Sequence, residues 1–138
     1  MCALPHGPQF RFIDQLIELS PGISGSAEYL VRGDEAFLEG HFPGEPLFPG
    51  VLLVEGAAQL AGVVAQSDPA CPPLAGLKLT AVRQAKILGS ARPGEKILFG
   101  ASISGRLDNL VQASATARVN GKVVLETILT LSGESPAR

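Results

Sequence analysis

Residues 40–66 read GHFPGEPLFPGVLLVEGAAQLAGVVAQ. Pro43, Pro46 and Pro49 forbid a regular helix or ladder in the first part, because proline lacks a backbone N–H and fixes φ. That part must be an ordered loop. From Val51 to Ala65 the run is apolar apart from Glu55 and Gln59, and Pro49-Gly50 suits a helix start, where a missing N–H is no loss. A helix is expected from about Val51 to Ala65 or Gln66. Fifteen or so residues at 1.5 Å each give a rod of roughly 23 Å. Apolar on nearly every side, it can be buried only inside a surrounding shell. A turn-rich segment holding His41, feeding a helix that carries one carboxylate, is a candidate acid/base site.

The rest of the chain supplies that shell. Over Gln9 to Leu19 the apolar residues fit neither the helical nor the strand period, and a helical turn beside a strand is expected. Ser20-Pro21-Gly22 signals a turn, and Ile23 to Val31 has the length and residue types of a strand. Asp34 to Leu38 connects to the loop, and Ser67 to Gly76 ends the helix. Four strands are expected after it: Leu77 to Leu88, Glu95 to Ser104, Asn109 to Val119 and Lys122 to Leu131. Arg92-Pro93-Gly94 and Gly105 to Asp108 separate the first three, and Asn120-Gly121 is a strong hairpin signal. In the third of these strands Val111, Ala113, Ala115, Ala117 and Val119 alternate with polar residues, and the small alanines leave room for a helix. The fold class implied is α+β, an antiparallel sheet wrapped around a long central apolar helix, which is a hot-dog arrangement. The 138 residues suit one domain, 1–138, with a flexible tail over 133–138.

Composition narrows the function classes. Hydrophobic residues make up 46% and charged residues 17%, which suits a packed core and not a disordered chain. A net charge of −2 gives no broad electrostatic reason to bind nucleic acid or an anionic membrane. Cys2 and Cys71 show no Cys-x-x-Cys spacing and suggest neither a zinc site nor a disulfide framework. The first ten residues do not read as a secretory signal, so a cytoplasmic location is expected. The apolar run is shorter than the roughly 20 residues a membrane span needs. His6 has only a turn context and reads as structural.

The peptide from His41 to Gln59, HFPGEPLFPGVLLVEGAAQ, resembles the pattern HFPGxPxxPGVLxxExxAQ of 3-hydroxyacyl-acyl-carrier-protein dehydratases of the FabZ type. Flanking features resemble that family too: Leu4-Pro5-His6 before Phe12-Ile13-Asp14, the Pro93-Gly94-Glu95 turn, and Asn120-Gly121-Lys122-Val123-Val124 before Glu126. The resemblance implies a lyase that removes water from a 3-hydroxyacyl thioester without metal or other cofactor. Such chemistry needs an α-proton removed, a thioester carbonyl polarised and a poor hydroxide leaving group protonated. The implied roles are His41 as general base, Glu55 as general acid and the Gly50 backbone amide as the carbonyl-polarising donor. Gln59, four residues beyond Glu55 and so on the same helix face, is expected to orient the carboxyl. Phe42, Phe48 and Val51 are acyl-tunnel candidates. The implied partners are an acyl carrier protein and a second copy of the chain, in a homodimer or dimer-based higher oligomer. In that dimer each site takes His41 from one subunit and Glu55 from the other. Arg83, Lys86, Arg92 and Lys96 are candidates for a patch that receives the acidic carrier.

The pattern breaks between helix and Pro-Gly turn. Ile87 stands where the family has an aromatic, Gly89-Ser90 replaces a basic-Pro pair, and the only tyrosine is Tyr29, far from the usual tunnel gate. Gly56 stands where the family commonly has alanine, and is expected to loosen the helix or admit bulk beside Glu55. A hot-dog acyl thioesterase and a non-catalytic acyl-binding subunit are the alternative readings.

Overall fold

The computed structural model describes residues 10–134. The expectations for Cys2, for His6 and its Leu4-Pro5 neighbours, and for the end of the tail lie outside them. Six strands form one antiparallel sheet: β1 (Gln15–Ser20), β2 (Ser24–Leu30), β3 (Ala75–Ile87), β4 (Lys96–Leu107), β5 (Leu110–Val119) and β6 (Lys122–Glu134), in the order β1-β2-β4-β5-β6-β3. A short 3-10 turn (Ala36–Glu39) leads to the proline-rich loop, and helix α1 (Gly50–Gln66) follows it. The sheet curls around α1, which touches β2 through β6. This is the hot-dog architecture.

The local chemistry accounts for each element. On β5, Val111, Ala113, Ala115, Ala117 and Val119 are all buried and form an alanine-rich floor under the helix. Asn120 and Gly121 both have positive φ, 52° and 80°, the geometry of a two-residue hairpin turn whose twist matches its strands. Pro49 caps α1 in an extended conformation and its carbonyl accepts from the Leu52 and Leu53 amides. At the far end Arg106 donates to the Ala65 carbonyl (3.0 Å), a cation on the negative end of the helix dipole.

Several features differ from the sequence expectation for physical reasons. Over residues 15–20 the register of β1 against β2 shifts between Leu16 and Glu18, a bulge that resets the alternation and hides the strand period. Ahead of it Phe10 is in 3-10 conformation, so the expected helical turn beside a strand is present. Strand β4 runs on to Leu107, because a bulge between Ile103 and Gly105 absorbs the glycine, and the turn shrinks to Asp108-Asn109. Strand β6 reaches Glu134, so Gly133 and Glu134 belong to the sheet and not to a tail, the Gly133 amide donating to the Asn109 carbonyl. Helix α1 is not enclosed on every side. Its middle and C-terminal half are buried, whereas Val51 is 71% exposed, because the sheet covers one side and leaves the first turn open.

Gly56 does admit bulk, and the bulk is Phe99 of β4. A Cβ added at Gly56 would lie 2.4 Å from Phe99 Cζ, and that ring is fully buried with nowhere to retreat. Alanine here would gain about 1 kcal/mol of helix propensity and lose about 1–3 kcal/mol to overpacking. Gly56→Ala is therefore expected to lower unfolding stability by about 1 kcal/mol in urea titrations. In a Phe99→Leu background the same change should become neutral or stabilising. A gain in stability in the wild-type background would contradict this packing account.

Candidate active site

The loop that carries His41 is tied from both ends. Upstream, Glu35 accepts hydrogen bonds from the Tyr29 hydroxyl (2.6 Å) and from the Arg32 and Gly33 amides (3.1 and 2.7 Å). Asp14 accepts from the Leu30 amide and pairs with Arg32 (2.8 Å), whose guanidinium lies over the Tyr29 ring. Burial pushes the Tyr29 hydroxyl well above its usual range, and the Glu35 carboxylate adds to this. Burial also works against ionisation of Glu35, but the Tyr29 and main-chain donors outweigh it and hold the carboxyl below its usual value. The only tyrosine thus braces the approach to the loop and serves no gate.

Within the loop, Phe42 and Glu45 exchange backbone hydrogen bonds, and the Leu47 amide donates to the His41 carbonyl (2.8 Å). The Phe48 amide donates to the Ala91 carbonyl (2.8 Å), which fastens the loop to the segment before β4. Inside this frame His41 Nδ1 lies 2.9 Å from the Leu47 carbonyl oxygen. A carbonyl can only accept, so Nδ1 carries a proton and Nε2 is the ring atom able to hold the lone pair. The imidazole stacks on Phe42, with centroids 4.1 Å apart.

Gly50 is the first residue of α1, where unpaired amides and the positive end of the dipole face outward. Ile87 of β3 lies against it, its Cδ1 3.0 Å from where a Gly50 Cβ would stand. One turn on, the half-buried Glu55 accepts a hydrogen bond through Oε2 from Gln59 Nε2 (3.1 Å). Gln59 is 2% exposed and also binds the N-terminal segment. Its Oε1 accepts from the Phe12 amide (2.9 Å) and its Nε2 donates to the Phe10 carbonyl (2.8 Å).

The structure thus brings Glu55 and Gln59 into direct contact and sets Gly50 on the same helix. His41 turns its Nδ1 to Leu47 on the adjoining loop. Among the tunnel candidates, Phe42 and Val51 are exposed, 52% and 71%, whereas Phe48 is buried in a ring cluster with Phe12, Tyr29 and Phe37. Of the basic candidates, Arg83 and Lys86 lie exposed on edge strand β3 and Arg92 in the loop before β4. Lys96 opens β4 with its amine 3.7 Å from Glu28. Among the described residues no group of three or more His, Cys, Asp or Glu is placed to hold a metal, and no helix is long and apolar enough to cross a membrane.

Sequence reading missed the Phe10–Phe12 backbone, which meets Gln59 across 47 residues of sequence, and it missed Glu35. Periodicity shows neither. The sole hint at Glu35 is an acidic residue two positions after a glycine in a short connection.

A family model described as a FabA-like domain matches residues 4–128. Among curated relatives, the 3-hydroxyacyl-[acyl-carrier-protein] dehydratase FabZ of Campylobacter hominis is 34% identical, covering 91% of this chain and 88% of the relative. The enzyme of the same name from Acidiphilium cryptum is 35% identical, over 91% of this chain and 77% of its own length. Among solved structures, the dehydratase heterocomplex ApeI:P from Xenorhabdus doucetiae superposes with a TM-score of 0.80 at 16% identity, covering 98% of this chain and 90% of that one. Zebra fish thioesterase superfamily member 2 superposes with a TM-score of 0.66 at 16% identity, over 85% and 78%. At such identities the structures share the fold alone, and the fold by itself does not separate dehydration from thioester hydrolysis.

The depressed Glu35 carboxyl makes a stability prediction with a definite sign. Its contribution is present above the unfolded value and is lost as pH falls through the folded one. The stability gap between wild type and Glu35→Gln should therefore be constant above about pH 5 and close at lower pH. Chemical denaturation across that range checks it, and a gap that widens on acidification would contradict it.

Proposed function

The chain belongs to the FabA-like domain family and is a dehydratase of 3-hydroxyacyl thioesters, and we propose that His41 is its general base and Glu55 its general acid. The observation that carries the assignment is the His41 Nδ1 contact with the Leu47 carbonyl, which leaves Nε2 as the basic atom. Nε2 takes the α-proton, and the C–H electron pair moves towards the thioester carbonyl as an enolate. The Gly50 amide, aided by the helix dipole, holds the charge developing on that oxygen. The electrons then return to form the 2,3 double bond as the C3–O bond breaks, and Glu55 protonates the departing hydroxyl. The products are the trans-2-enoyl thioester and water, a step of fatty acid or related acyl-chain biosynthesis.

The same reading extends to assembly and partner. Among the described residues strand β3 leaves one sheet edge unpaired and carries exposed Val82 and Ile87, with Leu88 beyond it and Val51 on the open helix turn. An exposed apolar edge strand is a template for pairing with another chain. We assign that edge to a second copy, so that the partner's β3 continues the sheet and its His41 loop faces this chain's Glu55. The apolar surface covered in this way includes Phe42 and Val51, where the acyl chain would lie. Arg83 and Lys86 lie on the same edge strand, and with Arg92 in the loop before β4 they suit an acidic carrier protein. A single-domain enzyme working in the cytoplasm, without metal or other cofactor, completes the proposal.

The test supplies a 3-hydroxyacyl carrier-protein thioester and follows enoyl product and free thiol separately. Wild type should form enoyl product without thiol, and His41→Ala and Glu55→Gln should each lower kcat by about 100-fold or more. Thiol release without enoyl product would favour a thioesterase, and neither signal a non-catalytic acyl-binding subunit.

A further inference from the structure

Gln59 makes more contacts than orienting one carboxyl requires. Its two main-chain partners have identities that cannot be exchanged: the Phe12 N–H can only donate, and the Phe10 carbonyl can only accept. Together they dictate which way round the side-chain amide sits. Oε1 must face Phe12, so the NH2 group must face Phe10 and Glu55, with one N–H for each. Glu55 Oε2 therefore always meets a donor. The carbonyl oxygen of a carboxylic acid accepts such a bond well and its hydroxyl oxygen poorly. When Glu55 is protonated, the proton belongs on Oε1.

What holds the Phe10–Phe12 backbone in this position is the Phe12 ring. It is 1% exposed and packs edge-on against Phe10, Tyr29, Phe37 and Phe48, with centroids 5.0 to 6.0 Å apart. Tyr29 is the residue bound to Glu35, and Phe48 belongs to the His41 loop, so this cluster joins the mounts of both reacting groups.

Resting on the acid role given to Glu55 above, we propose that Phe12 is a positioning residue for the dehydration. Acting through its own amide and Gln59, it fixes the acid proton on Glu55 Oε1, the oxygen that delivers it to the departing hydroxyl. The Phe12 ring touches no reacting atom. Its effect on the Glu55 proton passes through Gln59, and this separates the proposal from a general loss of packing.

A double-mutant cycle with Phe12→Leu and Gln59→Met tests it. Gln59→Met should lower kcat about tenfold or more with KM within about twofold, because a misplaced proton affects the transition state and not substrate binding. Phe12→Leu should lower kcat several-fold in the same pattern, and the double variant should be no slower than Gln59→Met alone. Phe37→Leu, in the same cluster but without a bond to Gln59, should leave kcat within about twofold. Independent losses that multiply in the double variant would overturn the proposal, as would a Phe37→Leu loss equal to that of Phe12→Leu.

A second measurement needs no activity and no acid role. In protein labelled with 15N-glutamine, the side-chain amide of Gln59, assigned by its absence in Gln59→Met, should exchange slowly with solvent. Phe12→Leu should speed that exchange at least tenfold, while Phe37→Leu should not. A fast-exchanging Gln59 amide in wild type would overturn the positioning proposal even if the enzyme dehydrates. A slow one in a protein that forms no enoyl product would leave the bonding scheme standing and overturn the acid role instead.

Discussion

An apolar helix that carries a carboxyl group poses a conflict that the remaining structure has to resolve. Helix α1 needs to lose its apolar faces from water, and the six-stranded sheet does this with a floor of alanines on β5 and large side chains on β4 and β6. Glu55 and Gln59 travel with the helix into this setting. A buried polar group without a partner costs about 1–3 kcal/mol, and Gln59 avoids that cost by matching each amide atom to a fixed backbone group or to Glu55. That one side chain links the path of the N-terminal segment, fixed by the packing of Phe12, to the orientation of the carboxyl.

The first turn of α1 is where the sheet stops covering the helix. Gly50 begins the turn with its amide facing outward, Ile87 leans on it from the edge strand, and Val51 stands in the open. A lone chain with exposed Val51 and Phe42, and with Val82 and Ile87 on an edge strand that has one free side among the described residues, keeps considerable apolar surface in water. In the proposed dimer, covering that surface with a second copy and completing the acid/base site would be the same event. On that proposal the stretch 40–66 would serve two sites at once, its loop carrying the base for one and its helix the acid for the other.

Much of this was legible in residue order, and what escaped did so for identifiable reasons. Prolines and glycines gave away the loop, and the nearly unbroken apolar run from Val51 gave away the helix to within one residue at its start. Strand β5 announced itself by strict alternation, since one of its faces meets the helix and the other water. Strand β1 did not, because its bulge at Leu16/Glu18 shifts the apolar side chains by one position. The contact of Phe99 with Gly56 and the bonds from Gln59 to Phe10 and Phe12 join residues 43 to 49 positions apart. No local pattern encodes such pairs. The spacing of His41, Glu55 and Gln59 pointed to an acid/base site, whereas the hydrogen bonds that aim their atoms came only with the folded chain.

The central claim is that one catalytic centre needs the His41 loop of one copy and the Glu55 helix of another. It is tested by unfolding His41→Ala and Glu55→Gln proteins together, refolding the mixture and measuring enoyl formation from a 3-hydroxyacyl carrier-protein thioester. A mixed dimer built in this way holds one centre with neither change and one with both. Activity should therefore reappear, at about a quarter of the wild-type rate for random pairing of equal amounts, while each variant refolded alone stays inactive. A mixture as inactive as its components, with mixed dimers shown to be present, would place both groups of each centre in a single chain and contradict the account.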